Sequence, residues 1–299
     1  MLCYLLTDDH LAPDNGAAAS VPWWSFTKTV LAATALTLVR DGLIGLDDML
    51  DDGPFTLRQL LRHQAGLADY SELADYHSAV ASHQQPWPVA DMLQRLDAGR
   101  LRYTPGAGWG YSNVGYLYVG QLIERLTGLN LQQALTQRVF EPLGCGQARL
   151  ATLPADLHGV EMGSASTYHP GWVYHGLLVG TLQQAALLLQ RLFEGELLGP
   201  ELLAQMQATH TLGGPMPGRP WQAAAYGLGL MHGPVAEGLV VSGHTGAGPG
   251  SVIAVYRAAL GGRTASCAVF AEGDDQGAVE VQAVKMLTGE FTLRGVFRR

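Results

Sequence analysis

Lysine is almost absent from this 299-residue sequence: Lys28 and Lys285 are the only two among 18 basic residues. Acidic residues outnumber basic ones, 26 against 18, which gives a formal net charge of −8. Binding to nucleic-acid phosphates needs clustered lysine and arginine, so this balance disfavours a nucleic-acid partner. Charged residues make up only 15% and hydrophobic residues 47%, which excludes a disordered chain.

Cysteine and long apolar runs are also scarce. Cys3, Cys145 and Cys267 lie far apart and without metal-ligand spacing, so free thiols and no metal site are expected. A membrane-spanning helix needs an uninterrupted run of about 18 apolar residues, and the sequence has none. The start also lacks the basic segment of a signal peptide. These absences predict a cytoplasmic protein that has no membrane partner.

Apolar periodicity and the placement of glycine and proline predict helices in the middle of the chain and strands towards its end. The predicted helices cover 27–39, 56–63, 113–126, 131–140, 181–193 and 277–287, and the predicted strands cover 2–6, 239–241, 251–257 and 265–271. This segregation indicates an α+β fold with an antiparallel sheet. We expect one domain over 1–299, with a sheet part at about 1–24 and 225–299 and a mostly helical part at about 25–224.

The rare Lys28 follows Ser25 by three residues, at the start of the predicted helix 27–39. Positions i and i+3 share one face of a helix, so the ammonium group and the hydroxyl can meet. The following run is apolar, and desolvation lowers the pKa of a lysine, which makes a neutral amine available as a base. Ser25 and Lys28 therefore fit an activated nucleophile, although an N-cap serine followed by a snorkelling lysine explains the same pattern.

Two further groups of polar residues stand in loops beside predicted elements. Tyr111 precedes the helix 113–126, and its phenol can act as a base if the Lys28 cation lowers the pKa. Alternatively, Tyr111 is a loop aromatic and Asn113 is the N-cap of that helix. His244 follows the predicted strand 239–241, where the backbone N–H groups of Ala247 and Ser25 can form an oxyanion hole.

Together these motifs resemble the serine β-lactamase-like superfamily. The sequence is similar to its branch of class C β-lactamases, D-alanyl-D-alanine carboxypeptidases and family VIII esterases. The resemblance rests on Ser25-x-x-Lys28, Tyr111-x-Asn113 and His244-x-Gly246 in this order, and on flanks such as HQAGL (63–67), PGAGWGYSNVGY (105–116) and HTGAGPGS (244–251). It runs from about Trp23 to the C-terminus.

The resemblance implies a β-lactamase-like fold and site roles for seven residues. Ser25 is acylated, Lys28 and Tyr111 share the proton transfers, and Asn113 holds the lysine and the substrate. The third motif, His244 with Gly246, lines the opposite wall, and the N–H of Ala247 completes the oxyanion hole. Trp109 nearly adjoins Tyr111 and is the tryptophan expected to line the cleft. No metal and no cofactor are implied.

Two departures from the pattern of the superfamily qualify this interpretation. β-Lactamases carry lysine at the first position of the third motif, whereas this chain has His244, and a neutral histidine attracts a substrate carboxylate less strongly. Relatives place two strands before the nucleophile, but only 24 residues precede Ser25. We therefore expect a sheet with a shortened N-terminal strand region that lacks one strand, or a start of the sequence that is too late.

The predicted activity is hydrolysis of a small ester, amide or peptide through a Ser25 acyl-enzyme. Carboxylesterase-like activity is the first expectation, followed by D-amino-acid peptidase or amidase activity and then by weak β-lactamase activity. The alternative of another class is a non-catalytic binding protein that retains the fold. The sequence leaves the oligomeric state open.

Overall fold

The computed structural model describes residues 1–7, 16–235 and 238–295. The strands are β1 Leu2–Thr7, β2 Ser20–Pro22, β3 Arg149–Ala151, β4 Leu177–Thr181, β5 His210–Thr211, β6 Ala225–Tyr226, β7 Met231–Pro234, β8 Val240–Gly248, β9 Ser251–Leu260 and β10 Arg263–Glu272. The α-helices are α1 Thr27–Arg40, α2 Leu57–Leu61, α3 Ala74–Ala81, α4 Val89–Arg95, α5 Asn113–Thr127, α6 Leu131–Leu135, α7 Leu182–Phe193, α8 Pro200–Gln207 and α9 Gln276–Leu293. Short 3₁₀ turns cover Trp24–Phe26, Tyr70–Glu72, Pro154–Leu157 and Pro170–Trp172, and a π-helical turn covers Thr136–Phe140.

Seven of these strands form one antiparallel sheet in the order β1-β10-β9-β8-β7-β6-β5, and β2-β4-β3 form a smaller one. Side chains alternate between the two faces of a strand. Accordingly, Ala268 and Phe270 of β10 join the core cluster that includes α1 and α7, while Cys267 and Val269 join the cluster that includes α9. The large sheet is therefore covered by helices on both faces.

Helix α1 passes through the centre of the protein. All of its residues from Thr27 to Leu38 are buried, and the chain leaves the helix at Gly42, which has a φ of 72°. A helix buried on every side needs apolar or small residues around its whole circumference, which the run TVLAATALTLV supplies. This burial places the first turn of α1, with Lys28, deep inside the protein.

The α+β class predicted from the sequence is confirmed. The predicted helices 27–39, 113–126 and 181–193 agree with α1, α5 and α7 to within one residue at each end. The predicted helix 131–140 is instead α6 followed by a π-helical turn, and 277–287 extends to Leu293 in α9. The sequence did not predict α3, α4 and α8, which are short, or the small sheet.

The strand that carries the third motif is longer than predicted. The predicted strand 239–241 is the start of β8, which continues to Gly248, so His244 and Gly246 lie within the strand and not after it. Glycine has a low preference for strands, and the run SGHTGAG therefore suggests a turn. Pairing with β9 along eight residues, from Val241 to Gly248, keeps the segment extended.

Three other expectations concern the organisation of the chain. The described residues before Ser20 contribute one strand to the large sheet. This strand is β1, which pairs with β10. The single-domain organisation stays a prediction, and β5 of the large sheet lies within the range of the mostly helical part. In the ranges that the structure describes, no helix combines the length and the apolar character needed to cross a membrane.

Candidate active site

Ser25 lies in the 3₁₀ turn Trp24–Phe26 that leads into α1. Trp24, the residue before it, has a φ of 40°, which non-glycine residues rarely adopt. The Trp24 indole Nε1 donates a hydrogen bond of 3.0 Å to Ser251 Oγ at the start of β9. The surrounding structure thus holds a strained turn in place, and strain of this kind is concentrated at functional sites.

Lys28 lies in the first turn of α1, three residues after Ser25, and its side chain is fully buried. Its Nζ atom is 3.3 Å from Ser25 Oγ, 2.6 Å from Asn113 Oδ1 and 3.0 Å from His175 Nε2. Burial lowers the pKa of Lys28 from 10.5 to about 7, while the nearby Asp69 carboxylate partly opposes this effect by raising it. A large share of the amine is therefore neutral near pH 7, as the sequence predicted.

Tyr111 is the second partner of the serine. Its hydroxyl donates a hydrogen bond of 2.9 Å to Ser25 Oγ. The loop that carries Tyr111 is held by His63, because the Ser112 N–H donates to His63 Nδ1 and the Gly110 N–H donates to the His63 carbonyl. The imidazole of His63 also packs on the Tyr111 ring, with 4.2 Å between the ring centroids.

The condition under which Tyr111 could act as a base is not met. The sequence left open that Lys28 lowers this pKa, but burial raises it well above the ordinary value of 10. Desolvation of the phenolate outweighs the opposing effect of the hydrogen bond with Ser25. The phenol therefore stays protonated and acts as a donor, and Lys28 is the group that can accept a proton.

Asn113 is the first residue of α5, and it is not the N-cap. That position belongs to Ser112, whose hydroxyl accepts from the Gly115 N–H at 3.1 Å. The side chain of Asn113 is thereby left to the site: its Nδ2 donates to both carboxylate oxygens of Asp69, at 3.0 and 3.1 Å. Because the amide nitrogen faces Asp69, the amide oxygen must face Lys28.

Two residues near Lys28 were not found from the sequence. Asp69 follows the HQAGL segment and orients Asn113. Its proximity to that segment is the one feature of the sequence that could have indicated a place in the site. His175 precedes β4 and has no local signal, since it has no metal-ligand spacing to another histidine. Burial, followed by the nearby Lys28 charge, lowers the pKa of His175 well below 6.5. Its Nδ1 has no hydrogen-bond partner among the described residues.

His244 lines the site from β8, but both of its ring nitrogens are engaged. Nδ1 is 2.7 Å from the Thr245 carbonyl oxygen and must donate to it, so Nε2 accepts from the Tyr226 hydroxyl at 2.9 Å. Burial and then the Lys28 charge lower the pKa of His244 to about 3. The imidazole is therefore neutral and offers no positive charge to a substrate carboxylate.

The neighbouring Thr245 belongs to a buried polar network. Glu280 of α9 is fully buried and accepts hydrogen bonds from Thr245, from the Tyr256 hydroxyl at 2.8 Å and from Arg219 Nε at 2.7 Å. A second guanidinium nitrogen of Arg219 also contacts Glu280. This ion pair satisfies a carboxylate that would otherwise be very costly to bury.

Gly246 brings β8 into contact with the nucleophile turn. A methyl group at Gly246 would lie 2.6 Å from the Ser25 backbone nitrogen and 2.7 Å from the Trp23 carbonyl oxygen, so only glycine fits there. Ala247, the next residue, is exposed and lies at the opening of the site. The participation of the Ser25 and Ala247 N–H groups in an oxyanion hole stays a prediction.

Two cavities meet at Ser25, and both are also lined by Ser71, Asn113 and Ala247. One, of about 350 Å³, is here called the aromatic cavity and is lined further by Trp24, Tyr70, Tyr76, Val80, Tyr168 and Val173. The other, of about 360 Å³, is called the Arg219 cavity and is lined further by Trp109, Tyr111, Leu212, Met216, Arg219 and His244.

Trp109, the tryptophan expected in the cleft, lies in the wall of the Arg219 cavity. Its ring makes a T-shaped contact with the ring of His63, with 5.9 Å between the centroids. Its Nε1 is buried without a partner in the described part of the chain. The structure therefore brings all eight residues selected from the sequence to one site.

Comparison with known proteins identifies the family. The family model described as Beta-lactamase matches residues 17–288. This chain belongs to the Beta-lactamase family. The solved structures similar to it share the fold: a D-stereospecific amidohydrolase from Streptomyces sp. has a TM-score of 0.77 and 22% identity, covering 95% of this chain and 92% of the other. A D-amino acid amidase from Ochrobactrum anthropi SV3 has a TM-score of 0.77 and 21% identity, covering 98% and 93%.

Curated members of the family with similar sequences carry different activities in their names. Penicillin-binding protein 4* of Bacillus subtilis is 30% identical over 136 residues, which are 42% of this chain and 29% of that protein. Lovastatin esterase of Penicillium rubens is 28% identical over 149 residues, 40% and 37% of the two chains. A D-aminopeptidase of Cereibacter sphaeroides is 29% identical over 210 residues, 66% and 38%. The matches thus span well under half the length of these relatives.

Proposed function

We propose that this protein is a serine hydrolase that cleaves small carboxylic esters through an acyl-enzyme on Ser25. The observation that carries the proposal is the position of Ser25 Oγ, which lies 3.3 Å from the buried Lys28 amine and 2.9 Å from the Tyr111 hydroxyl. A base and an acid on one serine hydroxyl are the arrangement needed to activate a nucleophile and to protonate its leaving group.

The three contacts of Lys28 suit a neutral amine, which has two N–H bonds and one lone pair. Asn113 Oδ1 can only accept, and we assign the second N–H to His175 Nε2. The lone pair then points to Ser25 Oγ, where a proton has to be removed. This assignment puts the histidine proton on Nδ1, and it gives His175 the role of a positioning residue.

Acylation then proceeds with balanced proton transfers. Ser25 Oγ bonds to the carbonyl carbon and gives its proton to Lys28, while the N–H groups of Ser25 and Ala247 stabilise the oxyanion. As the tetrahedral intermediate collapses, the bond to the leaving oxygen breaks and Tyr111 donates its proton to that oxygen. The Lys28 ammonium returns the serine proton to Tyr111. Water then attacks the acyl carbon with the same proton transfers in reverse order. The bond to Ser25 Oγ breaks and the carboxylic acid is released.

Amide hydrolysis is the second candidate, and the names of relatives favour it. D-aminopeptidase and D-amino acid amidase are both amide-cleaving enzymes by name. An ester places a smaller demand on leaving-group protonation than an amide, so ester cleavage remains the first expectation. Efficient β-lactamase activity is disfavoured because His244 is neutral and has both nitrogens engaged.

The test is active-site labelling combined with turnover. Purified protein is incubated with a fluorophosphonate probe and with p-nitrophenyl acetate and butyrate, and Ser25→Ala is compared with wild type by intact mass and initial rate. Ser78→Ala is a matched control, because Ser78 is exposed on α3 and its hydroxyl donates to the Ala74 carbonyl oxygen of the same helix.

We expect one probe adduct and ester turnover in wild type and in Ser78→Ala, and neither in Ser25→Ala. If the adduct and the turnover persist in Ser25→Ala, or if wild type shows neither, the proposed mechanism is wrong. The second result would favour a non-catalytic binding protein with this fold.

A further inference from the structure

The two cavities beside Ser25 differ in their access to Tyr111. Tyr111 lines the Arg219 cavity, and its side chain does not line the aromatic cavity. A leaving group has to lie within reach of the acid that protonates it. Under the function proposed above, on which this inference rests, the leaving group therefore occupies the Arg219 cavity. The acyl group that stays on Ser25 then extends into the aromatic cavity.

The aromatic cavity offers no carboxylate counter-ion to its occupant. Among the described residues, no aspartate, glutamate, lysine or arginine lines it. Asp69 lies on the other side, in the wall of the Arg219 cavity, and its oxygens already accept from Asn113 Nδ2 and from Ser71 Oγ. An acyl group that carries an α-ammonium would enter the aromatic cavity without a counter-ion.

The buried histidine that lines this cavity offers no acceptor to an ammonium group. Under the assignment above, His175 Nδ1 carries a hydrogen atom, is buried and has no partner among the described residues. Its Nε2 atom is already engaged with Lys28 Nζ at 3.0 Å.

We propose that the aromatic cavity selects an uncharged aromatic or branched apolar acyl group. Esters of neutral arylalkanoic acids are then better substrates than esters of free α-amino acids. Three flat rings and two valine side chains fit such a group: Tyr70, Tyr76 and Tyr168 with Val80 and Val173. Burying a flat apolar group against them is favourable, whereas burying an ammonium group without a counter-ion is strongly unfavourable. The enzyme would thus differ in acyl preference from a protein that hydrolyses free D-amino-acid derivatives.

The experiment uses three substrates that differ only at the α-carbon. These are the methyl esters of 3-phenylpropanoic acid, of D-phenylalanine and of L-phenylalanine, assayed near pH 6, where the amino group is protonated. The state of Lys28 affects all three rates alike, so it cancels in the ratio of kcat/KM. We expect wild type to prefer the 3-phenylpropanoate ester by about tenfold or more over both amino esters.

A matched pair of variants places one carboxylate in either cavity. Val80→Asp adds it to the aromatic cavity and Leu212→Asp adds it to the Arg219 cavity, and both positions are partly exposed. Val80→Asp should shift the kcat/KM ratio about tenfold towards the amino esters, because it supplies the missing counter-ion. Leu212→Asp should leave this ratio unchanged.

The wild-type ratio decides the inference even if a variant fails to fold. A wild-type preference for either phenylalanine ester would overturn it, and so would equal shifts of the ratio in Val80→Asp and Leu212→Asp. Fluorophosphonate labelling of Ser25 in the same samples distinguishes failure of the acyl preference from failure of the proposed function. Ser25 labelled with an inverted ratio contradicts the acyl preference alone, whereas unlabelled Ser25 contradicts the proposed function and this inference together.

Discussion

The Nζ atom of Lys28 lies 3.0 Å from Nε2 of His175, a residue 147 positions further along the chain. The contact is buried, and it occupies one of the three directions available to the amine. Without an acceptor at this place, the amine can rotate its lone pair away from Ser25. Under the proposed function, His175 therefore sets the direction of the Lys28 lone pair.

Replacing His175 by leucine should lower kcat by about 10- to 100-fold with a smaller effect on KM, because the base is no longer held towards Ser25. The loss of an acceptor for the ammonium form should also lower the pKa of Lys28, which moves the acidic limb of the pH–rate profile to lower pH. The profile is the readout that a merely structural role would not move. His175→Gln keeps an acceptor oxygen and should recover part of the rate; an unchanged kcat in His175→Leu would rule out the positioning role.

The rate of ester hydrolysis should fall below about pH 7. Under the proposed function deprotonated Lys28 is the base, and its pKa is about 7, so kcat/KM should drop towards tenfold per pH unit on the acidic side. The other titratable groups that face Lys28 include three histidines, two tyrosines and one carboxylate: His63, His175, His244, Tyr111, Tyr116 and Asp69. Burial lowers the pKa of the histidines and raises that of the tyrosines, so these five do not titrate near pH 7. A limb centred below pH 5 or above pH 9 would identify another base.

Lys28 should also make the free energy of unfolding depend on pH. Its pKa is about 7 in the folded state against 10.5 ordinarily, so the unfolded chain binds more protons between these two values. The free energy of unfolding contributed by this group therefore rises from pH 7 to pH 10, by an amount on the order of 3 kcal/mol. Lys28→Met removes this rise.

Urea unfolding of wild type and Lys28→Met at pH 7 and pH 10 measures the difference. The stability of Lys28→Met relative to wild type should decrease by that amount as the pH rises. Lys285→Met is the matched control, because Lys285 is the other lysine of the chain and is exposed on α9. A pH-independent difference between wild type and Lys28→Met would mean that the Lys28 pKa is not lowered.

The buried ion pair of Glu280 with Arg219 should contribute strongly to stability. Glu280→Gln leaves the mostly buried Arg219 guanidinium without its counter-ion, and we expect a loss of about 2–4 kcal/mol in the free energy of unfolding. Asp52→Asn is the control, since it breaks the more exposed Arg125–Asp52 pair at 2.7 Å and should cost below about 1 kcal/mol. Chemical denaturation measures both variants. Equal losses in the free energy of unfolding would contradict a larger contribution from the buried pair.

The sequence predicted the site residues that lie in local motifs and missed those that depend on long-range packing. Ser25 with Lys28 and Tyr111 with Asn113 each stand within three residues of one another, so their spacing is visible in the sequence. His175 reaches Lys28 only through the folding of the segment before β4, and no local pattern marks it. The raised pKa of Tyr111 was missed for the same reason: its cause is burial, which depends on residues such as His63 and Tyr226 far away in the chain.

Gly246 has a consequence for how this protein can diversify. The strand β8 meets the nucleophile turn through main-chain atoms, and a single methyl group at Gly246 would collide with them. The relative position of Ser25 and Ala247 therefore does not depend on the identity of any side chain between them. Residues such as Val80 and Leu212, which line the cavities, can change while that backbone geometry is preserved. Under the proposed function, new substrate preferences can thus arise by single substitutions, without rebuilding the groups that break the bond.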